Sequence, residues 1–155
     1  MELKTKVKAE DGKQELTITR EFELPLSLLF TAYEDAAIVG QWMGTNVLQL
    51  ENKKHGSYAF QTTNAQGQVV FAANGVIHSF IPNQEIIRTF EMEHSTFGVQ
   101  LEFLTFEQLT ENTSRLTMHV VYRSVDIRDQ ILKMPFAAGI NMAHNRLQDI
   151  LSQLK

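Results

Sequence analysis

The chain of 155 residues has no cysteine, only three prolines and no excess of positive charge. Without cysteine there is no disulfide framework, no thiolate metal site and no cysteine nucleophile. Lysine and arginine number 14 against 18 acidic residues, a net charge of −4, which argues against nucleic acid or an anionic membrane as the main partner. No apolar run approaches the roughly 20 residues that a spanning helix requires. The start Met1-Glu2-Leu3-Lys4 leads into no apolar signal-peptide core, so a cytoplasmic setting without membrane insertion is expected. The five histidines are scattered, with no H-x-H, no H-E-x-x-H and no helical i, i+4 pair, so no metal is expected. The patterns G-x-x-x-x-G-K, G-x-G-x-x-G and G-x-S-x-G are also missing. Their absence removes the usual phosphate-cradling loops and the hydrolase nucleophile elbow, and leaves no cofactor to expect. No linker composition, internal repeat or low-complexity tract interrupts the chain, and residues 1–155 read as one domain.

What is present is a clear sequence of periodicities. Asp11-Gly12 is a tight-turn signal, and after it Leu16, Ile18 and Phe22 alternate with polar residues at the strand period of two. Pro25 suits the first position of a helix, followed by Leu26, Leu29, Phe30 and Tyr33 at helical spacing. A second short helix is predicted from Ala36 to Trp42, ending near Gly44; the acidic pair Glu34 and Asp35 beside it reads as capping. From Thr45 to Arg123 apolar alternation recurs in Leu48/Leu50, Tyr58/Phe60, Val69/Phe71/Ala73, Ile86/Phe90, Leu101/Phe103, Leu104/Phe106 and Leu116/Met118/Val120/Tyr122. Turn-forming groups separate these runs, the pattern of consecutive antiparallel hairpins, and Gly75 within one run marks a bulge or bend. Asp126 is placed to cap a short helix, and Pro135 to begin a long one carrying the stripe Ile140, Ala143, Leu147, Ile150, Leu151 and Leu154. A curved antiparallel sheet must cover its apolar face, and only that last helix is large enough to do so. The fold class is α+β: a strongly bent antiparallel sheet wrapped around a long C-terminal helix, with two short helices after the first long strand.

This order resembles the helix-grip fold of the START and birch-pollen-allergen superfamily (SRPBCC). Ile18-Thr19-Arg20-Glu21-Phe22, Pro25, Leu29-Phe30, Ala32-Tyr33 and Gln41-Trp42-Met43-Gly44 resemble the start of one branch, the family named for the activator of the heat-shock chaperone ATPase. Gly75-Val76-Ile77-His78-Ser79-Phe80, Pro82 and Ile86-Ile87-Arg88-Thr89-Phe90-Glu91 continue the likeness. Leu104-Thr105-Phe106-Glu107, Thr113-Ser114-Arg115-Leu116-Thr117 and the tail from Ser124 through Arg146-Leu147 complete it. The likeness covers about residue 15 to the end. Two positions depart from the family pattern: Met43 where relatives carry a second Trp, and Ile140 where they carry an aromatic residue or Val.

The resemblance implies an apolar cavity between sheet and helix. Candidate walls are Trp42, Met43, Tyr58, Phe60, Phe71, Phe90, Phe103, Met118, Tyr122, Phe136 and Ile140, each of which would serve equally as core packing. His78 and His144 are candidate imidazoles for a ligand, or satisfied structural histidines. Strand parity turns His119 away from the Leu116/Met118/Val120 face, and His55 and His94 belong to turns. Arg88 shares parity with Ile86 and Phe90; on an inner face it would need an anion, from a ligand carboxylate, Glu102 or Glu107.

Three readings follow. The first is a binding protein for a small hydrophobic or amphipathic molecule. The second, carried by the family resemblance, is contact with a heat-shock chaperone ATPase. The third is a small-molecule-modifying enzyme or resistance protein of the same superfamily, for which no residue pair stands out, so catalysis is not the expectation. A monomer and a homodimer are both open: the first hairpin offers an edge, although Lys4, Lys6 and Lys8 guard it.

Overall fold

A computed structural model describes residues 3–155; Met1 and Glu2, with which the signal-peptide reading begins, lie outside the described residues. The chain runs β1 (Lys6–Lys8), β2 (Glu15–Phe22), α1 (Leu26–Glu34), α2 (Ala36–Met43), β3 (Asn46–Leu50), β4 (Ser57–Thr63) and β5 (Val69–Ile81). It continues with β6 (Glu85–Met92), β7 (Val99–Thr110), β8 (Thr113–Val121), α3 (Val125–Lys133) and α4 (Phe136–Ser152). All strands form one antiparallel sheet in the order β1-β2-β8-β7-β6-β5-β4-β3. The meander from β3 to β8 is closed by β2, which reaches across the whole intervening chain to pair with β8, Leu16 opposite Val120 and Phe22 opposite Ser114. This is the α+β helix-grip arrangement, and no helix among the described residues is long and apolar enough to cross a membrane.

Period-two alternation sets the inner face. In β2 it is Leu16, Ile18, Arg20 and Phe22; in β8 it is Ser114, Leu116, Met118 and Val120. These side chains join Leu29, Phe30, Tyr33 and Trp42 of the two short helices and Leu147 and Leu151 of α4 in the main core. A second cluster of Val39, Tyr58, Phe60 and Ile77 lies at the β3–β5 end, with Phe71 packed against it. Register shifts at Val47/Gln49, Thr62/Thr63, Ile77/Ser79 and Gln108/Thr110 bend the sheet, because an extra residue on one strand increases local twist.

Several details differ from the sequence expectation. Pro25 and Pro135 occupy the cap positions, one residue before their helices rather than within them. Ser124 caps α3 by accepting from the Ile127 amide, and Asp126, the expected cap, sits in the first turn. The last helix stops at Ser152, so Leu154 leaves the stripe and is exposed. Asp35 does cap α2, accepting from the Ile38 amide at 3.2 Å. Buried Arg128 of α3 donates to the carbonyls of Glu10 and Glu15, which ties the first hairpin to the C-terminal helices.

Gly75 is not at a bulge in its pairing with β6; the register shift there falls three residues later, at His78. Its role is close approach. A Cβ there would stand 2.0 Å from the Thr89 carbonyl oxygen and 2.6 Å from the Tyr58 ring. Tyr58 crosses this gap to donate its hydroxyl to that same carbonyl. Gly75→Ala is therefore expected to cost about 2–4 kcal/mol through overpacking. Gly139→Ala, on a helical site where an added Cβ meets nothing within 4 Å, should stabilise by about 0.5–1 kcal/mol. Paired urea melts measure both, and equal effects at the two sites would refute the steric account.

Candidate ligand-binding site

A cavity of about 300 Å³ lies between the inner face of the sheet and α4. Its floor is Ile18, Met118 and Val120, with Phe90 and Met92 from β6. Its roof is Ile140, Ala143 and His144 of α4 and Phe136 at that helix's start. Trp42 and Met43 close the side formed by α2, and Ile131, Met134, Phe97 and Gly98 come from α3 and from the turns at its flank. Met134, 48% exposed, is the part of this lining most open to solvent. Trp42 is fixed by its indole N–H, which donates to the Ala32 carbonyl at 2.7 Å. The size lies at the lower end of the range for small-molecule pockets, and walls of this kind with a few convergent polar groups are their usual construction.

The polar groups converge at one end. Arg88 and Glu102 are direct cross-strand partners on β6 and β7. Arg88 Nε donates to Glu102 Oε1 at 2.9 Å, with the side chains only 11% and 7% exposed. Gln100 donates to the other carboxylate oxygen at 2.8 Å. The Arg88 guanidinium lies over the Tyr58 ring, 5.1 Å from its centroid. Burial works against the charge on Arg88, but Tyr58 and Glu102 outweigh it and hold the group above its ordinary pKa. Tyr33 and Tyr122 also line the cavity, and burial raises both hydroxyls well above the ordinary phenol value. Among the described residues neither hydroxyl has a hydrogen-bond partner, and neither is wholly shut away. Protonated at neutral pH, they can each donate to a guest.

His144, 1% exposed, belongs to a second network on the α4 side. Its Nδ1 is 2.9 Å from Thr5 Oγ1, which accepts from Arg20 at 3.1 Å. Arg20 and the Thr5 amide both reach the side-chain oxygen of Asn141. The Thr5 hydroxyl can donate to Nδ1 or accept from it, and the other ring nitrogen, Nε2, is buried without a partner. Burial first, and the Arg20 charge second, depress the His144 pKa to about 3, so the ring is neutral.

Of the fourteen candidates named from sequence, nine line the cavity: Trp42, Met43, Arg88, Phe90, Met118, Tyr122, Phe136, Ile140 and His144. The other five lie elsewhere. Tyr58, Phe60 and Phe71 pack in the second cluster, with Val39 of α2 and no residue of α4. His78 is the extra residue at the β5 register shift; it faces outward, its ring 6.0 Å from that of His55. Phe103 has the parity opposite to Glu102, Leu104 and Phe106, so it sits on the outer face, stacked on His119 at 5.6 Å. Leu101/Phe103 and Leu104/Phe106 have opposite parities, and one continuous strand cannot turn both inward. The partner of Arg88 is Glu102; Glu107 pairs instead with Arg115 on the outside. Missed were Tyr33, read only as helix core, and the flank residues Met92, Phe97 and Met134, whose place depends on how distant turns meet. Among the described residues no group of three His, Asp or Glu side chains is placed to hold a metal.

Comparison with known proteins adds the family. The family model described as "Activator of Hsp90 ATPase homolog 1-like protein" matches residues 23–152. Among solved structures, a protein from Mycobacterium smegmatis is 22% identical, with a TM-score of 0.82 over 95% of this chain and 96% of that one. A protein from Rhodobacter sphaeroides is 20% identical, with a TM-score of 0.83 over 96% and 99%. One from Arthrobacter aurescens is 18% identical, with a TM-score of 0.83 over 96% and 91%. These likenesses speak for the fold. No functionally curated protein matches the chain.

Two measurements follow from the buried charges. Arg88→Met leaves the Glu102 carboxylate buried without its cation and should cost about 3–5 kcal/mol, most of which the double change Arg88→Met/Glu102→Leu should recover. A double change no more stable than the single one would refute the pairing energetics. The His144 pKa is lower in the folded chain than its ordinary 6.5. The unfolded chain therefore binds the proton first. Its contribution to stability is complete above about pH 6.5 and falls toward pH 3, at up to about 1.4 kcal/mol per pH unit. In thermal melts across that window, His144→Leu should flatten the decline; an unchanged slope would exclude His144 as its source.

Proposed function

The chain belongs to the activator of Hsp90 ATPase homolog 1-like family, and from that premise we propose that it binds a small hydrophobic or amphipathic molecule between the sheet and α4. The observation that carries this reading is the cavity of about 300 Å³ with apolar walls and a buried Arg88–Glu102 pair at one end. Domain interiors normally pack without voids larger than a few waters. An apolar space of this size that also holds unpartnered tyrosine hydroxyls is therefore built to be filled. The physical account is burial: an apolar guest loses its water contacts at about 25 cal/mol per Å² of surface covered, while Arg88, Tyr33 and Tyr122 orient whatever polar atom it carries.

The family description also names an activator of a chaperone ATPase. That property belongs to the proteins for which the family is named; a changed turnover of Hsp90 on adding this chain would bring it here, and an unchanged one would leave the binding reading alone.

Freshly purified protein should carry an adduct mass in native mass spectrometry, or should enhance the fluorescence of the neutral dye Nile red when empty. Ile140→Trp, which fills the roof of the cavity, should weaken dye binding by about tenfold or more, equivalent to the loss of about 1.4 kcal/mol, with the melting temperature held within a few degrees. Neither adduct nor dye uptake in the wild type would end this reading.

A further inference from the structure

The polar end of the cavity narrows the guest further, an inference that rests on the binding reading above. Only Nε of Arg88 is taken by Glu102; among the described residues its two Nη groups have no hydrogen-bond partner, nor do the hydroxyls of Tyr33 and Tyr122. Both oxygens of Glu102 are already engaged, one by Arg88 and one by Gln100. This end thus offers several unused donors, whereas each carboxylate oxygen already holds one. Its charge is balanced: one guanidinium, one carboxylate, and no other ionised side chain in the lining, His144 being neutral.

An anionic head group would enter beside the Glu102 carboxylate and meet a cation that is already neutralised. It would lose its hydration with no uncompensated positive charge to replace it. An ammonium would meet a carboxylate already balanced by Arg88, with the guanidinium beside it. A neutral carbonyl oxygen fits both constraints, because it accepts from the Nη groups or the tyrosine hydroxyls and leaves the ion pair intact. We propose that the cavity selects an uncharged, compact apolar molecule bearing a carbonyl-type acceptor oxygen, seated on Arg88, Tyr33 and Tyr122, and discriminates against the matching carboxylate.

The test displaces Nile red from the wild-type protein near pH 7 with three probes of one shape: para-acetylbiphenyl, biphenyl carboxylate and biphenyl. The ketone should bind about tenfold tighter than the carboxylate and several-fold tighter than the hydrocarbon. A carboxylate that binds as well as the ketone overturns the proposal while leaving the cavity a binding site; failure of the dye and all three probes to bind overturns the binding reading and this one with it. Glu102→Gln uncovers the positive charge of Arg88 and should bring the carboxylate up by about tenfold relative to the ketone. Should that variant fail to fold, Tyr33→Phe/Tyr122→Phe gives the second readout. It should erase most of the ketone's advantage over biphenyl and leave biphenyl affinity unchanged; an undiminished advantage overturns the role of the hydroxyls.

Discussion

Arg88 and Glu102 face each other across β6 and β7 at 2.9 Å, inside a protein whose surrounding side chains are almost all apolar. Removing two charges from water costs more than their attraction commonly returns, and well-packed hydrophobic residues in their place are often as stable or better. A pair in this position thus has weak justification as a stabiliser. It has a strong one as a fixed, net-neutral polar end for the cavity. It also constrains the sheet. A slip of one residue between β6 and β7 would turn both charges to the outer face and every apolar neighbour with them, so the register Ile86 opposite Leu104 and Arg88 opposite Glu102 is held from both sides.

The tyrosines divide the labour around this pair. Tyr58 lies beneath the guanidinium and spends its hydroxyl on the Thr89 carbonyl, in a gap that exists because residue 75 is glycine. It supports Arg88 from behind and offers a guest nothing. Tyr33 and Tyr122 keep their hydroxyls uncommitted on the cavity side. Tyr33 is held by a tilted contact to Trp42 and an edge contact to Phe106, 5.3 and 5.4 Å between centroids, so its hydroxyl is positioned by core packing and not by a hydrogen bond. Three residues of one type thus do two different things, and burial alone does not separate them; what does is the presence or absence of a local acceptor.

The fold was largely legible in the sequence, because a period of two across seven strands and of 3.6 in two helices leaves few ways to bury the apolar faces. The inward turn of Arg88 and the outward turn of His119 both follow from parity with Ile86 and with Met118. Phe103 shows where that reasoning fails: two apolar pairs of opposite parity adjoin in one strand, and only the pairing of Leu104 with Met118 settles which pair is inside. His78 failed for a related reason, since a one-residue register shift is invisible in composition. Tyr58, Phe60 and Phe71 have the right parity and the wrong place. They line the inner face of the sheet where it curves onto α2, and the boundary between filled core and open space is set by that curvature, which the order of residues along a strand does not encode. Tyr33 was hidden because a helical core position and a cavity wall have the same spacing.

Under the proposed binding role, the remaining wall leaves selectivity to the polar end. Four of the six methionines in the chain, Met43, Met92, Met118 and Met134, line the cavity. An unbranched thioether side chain changes rotamer at little cost and moulds itself to different shapes. A surface of that kind binds by area and discriminates poorly between guests of similar size. The α4 side, by contrast, is pinned by Arg20, Thr5, Asn141 and His144, whose hydrogen bonds join β2, the N-terminal segment and the helix. The helix cannot shift far to accommodate a charged or oversized head without breaking buried contacts whose loss leaves polar groups unpaired. For the proposed guest, shape tolerance would therefore reside in the methionines, rigidity in the α4 network, and chemical choice at Arg88, Glu102 and the two free tyrosine hydroxyls.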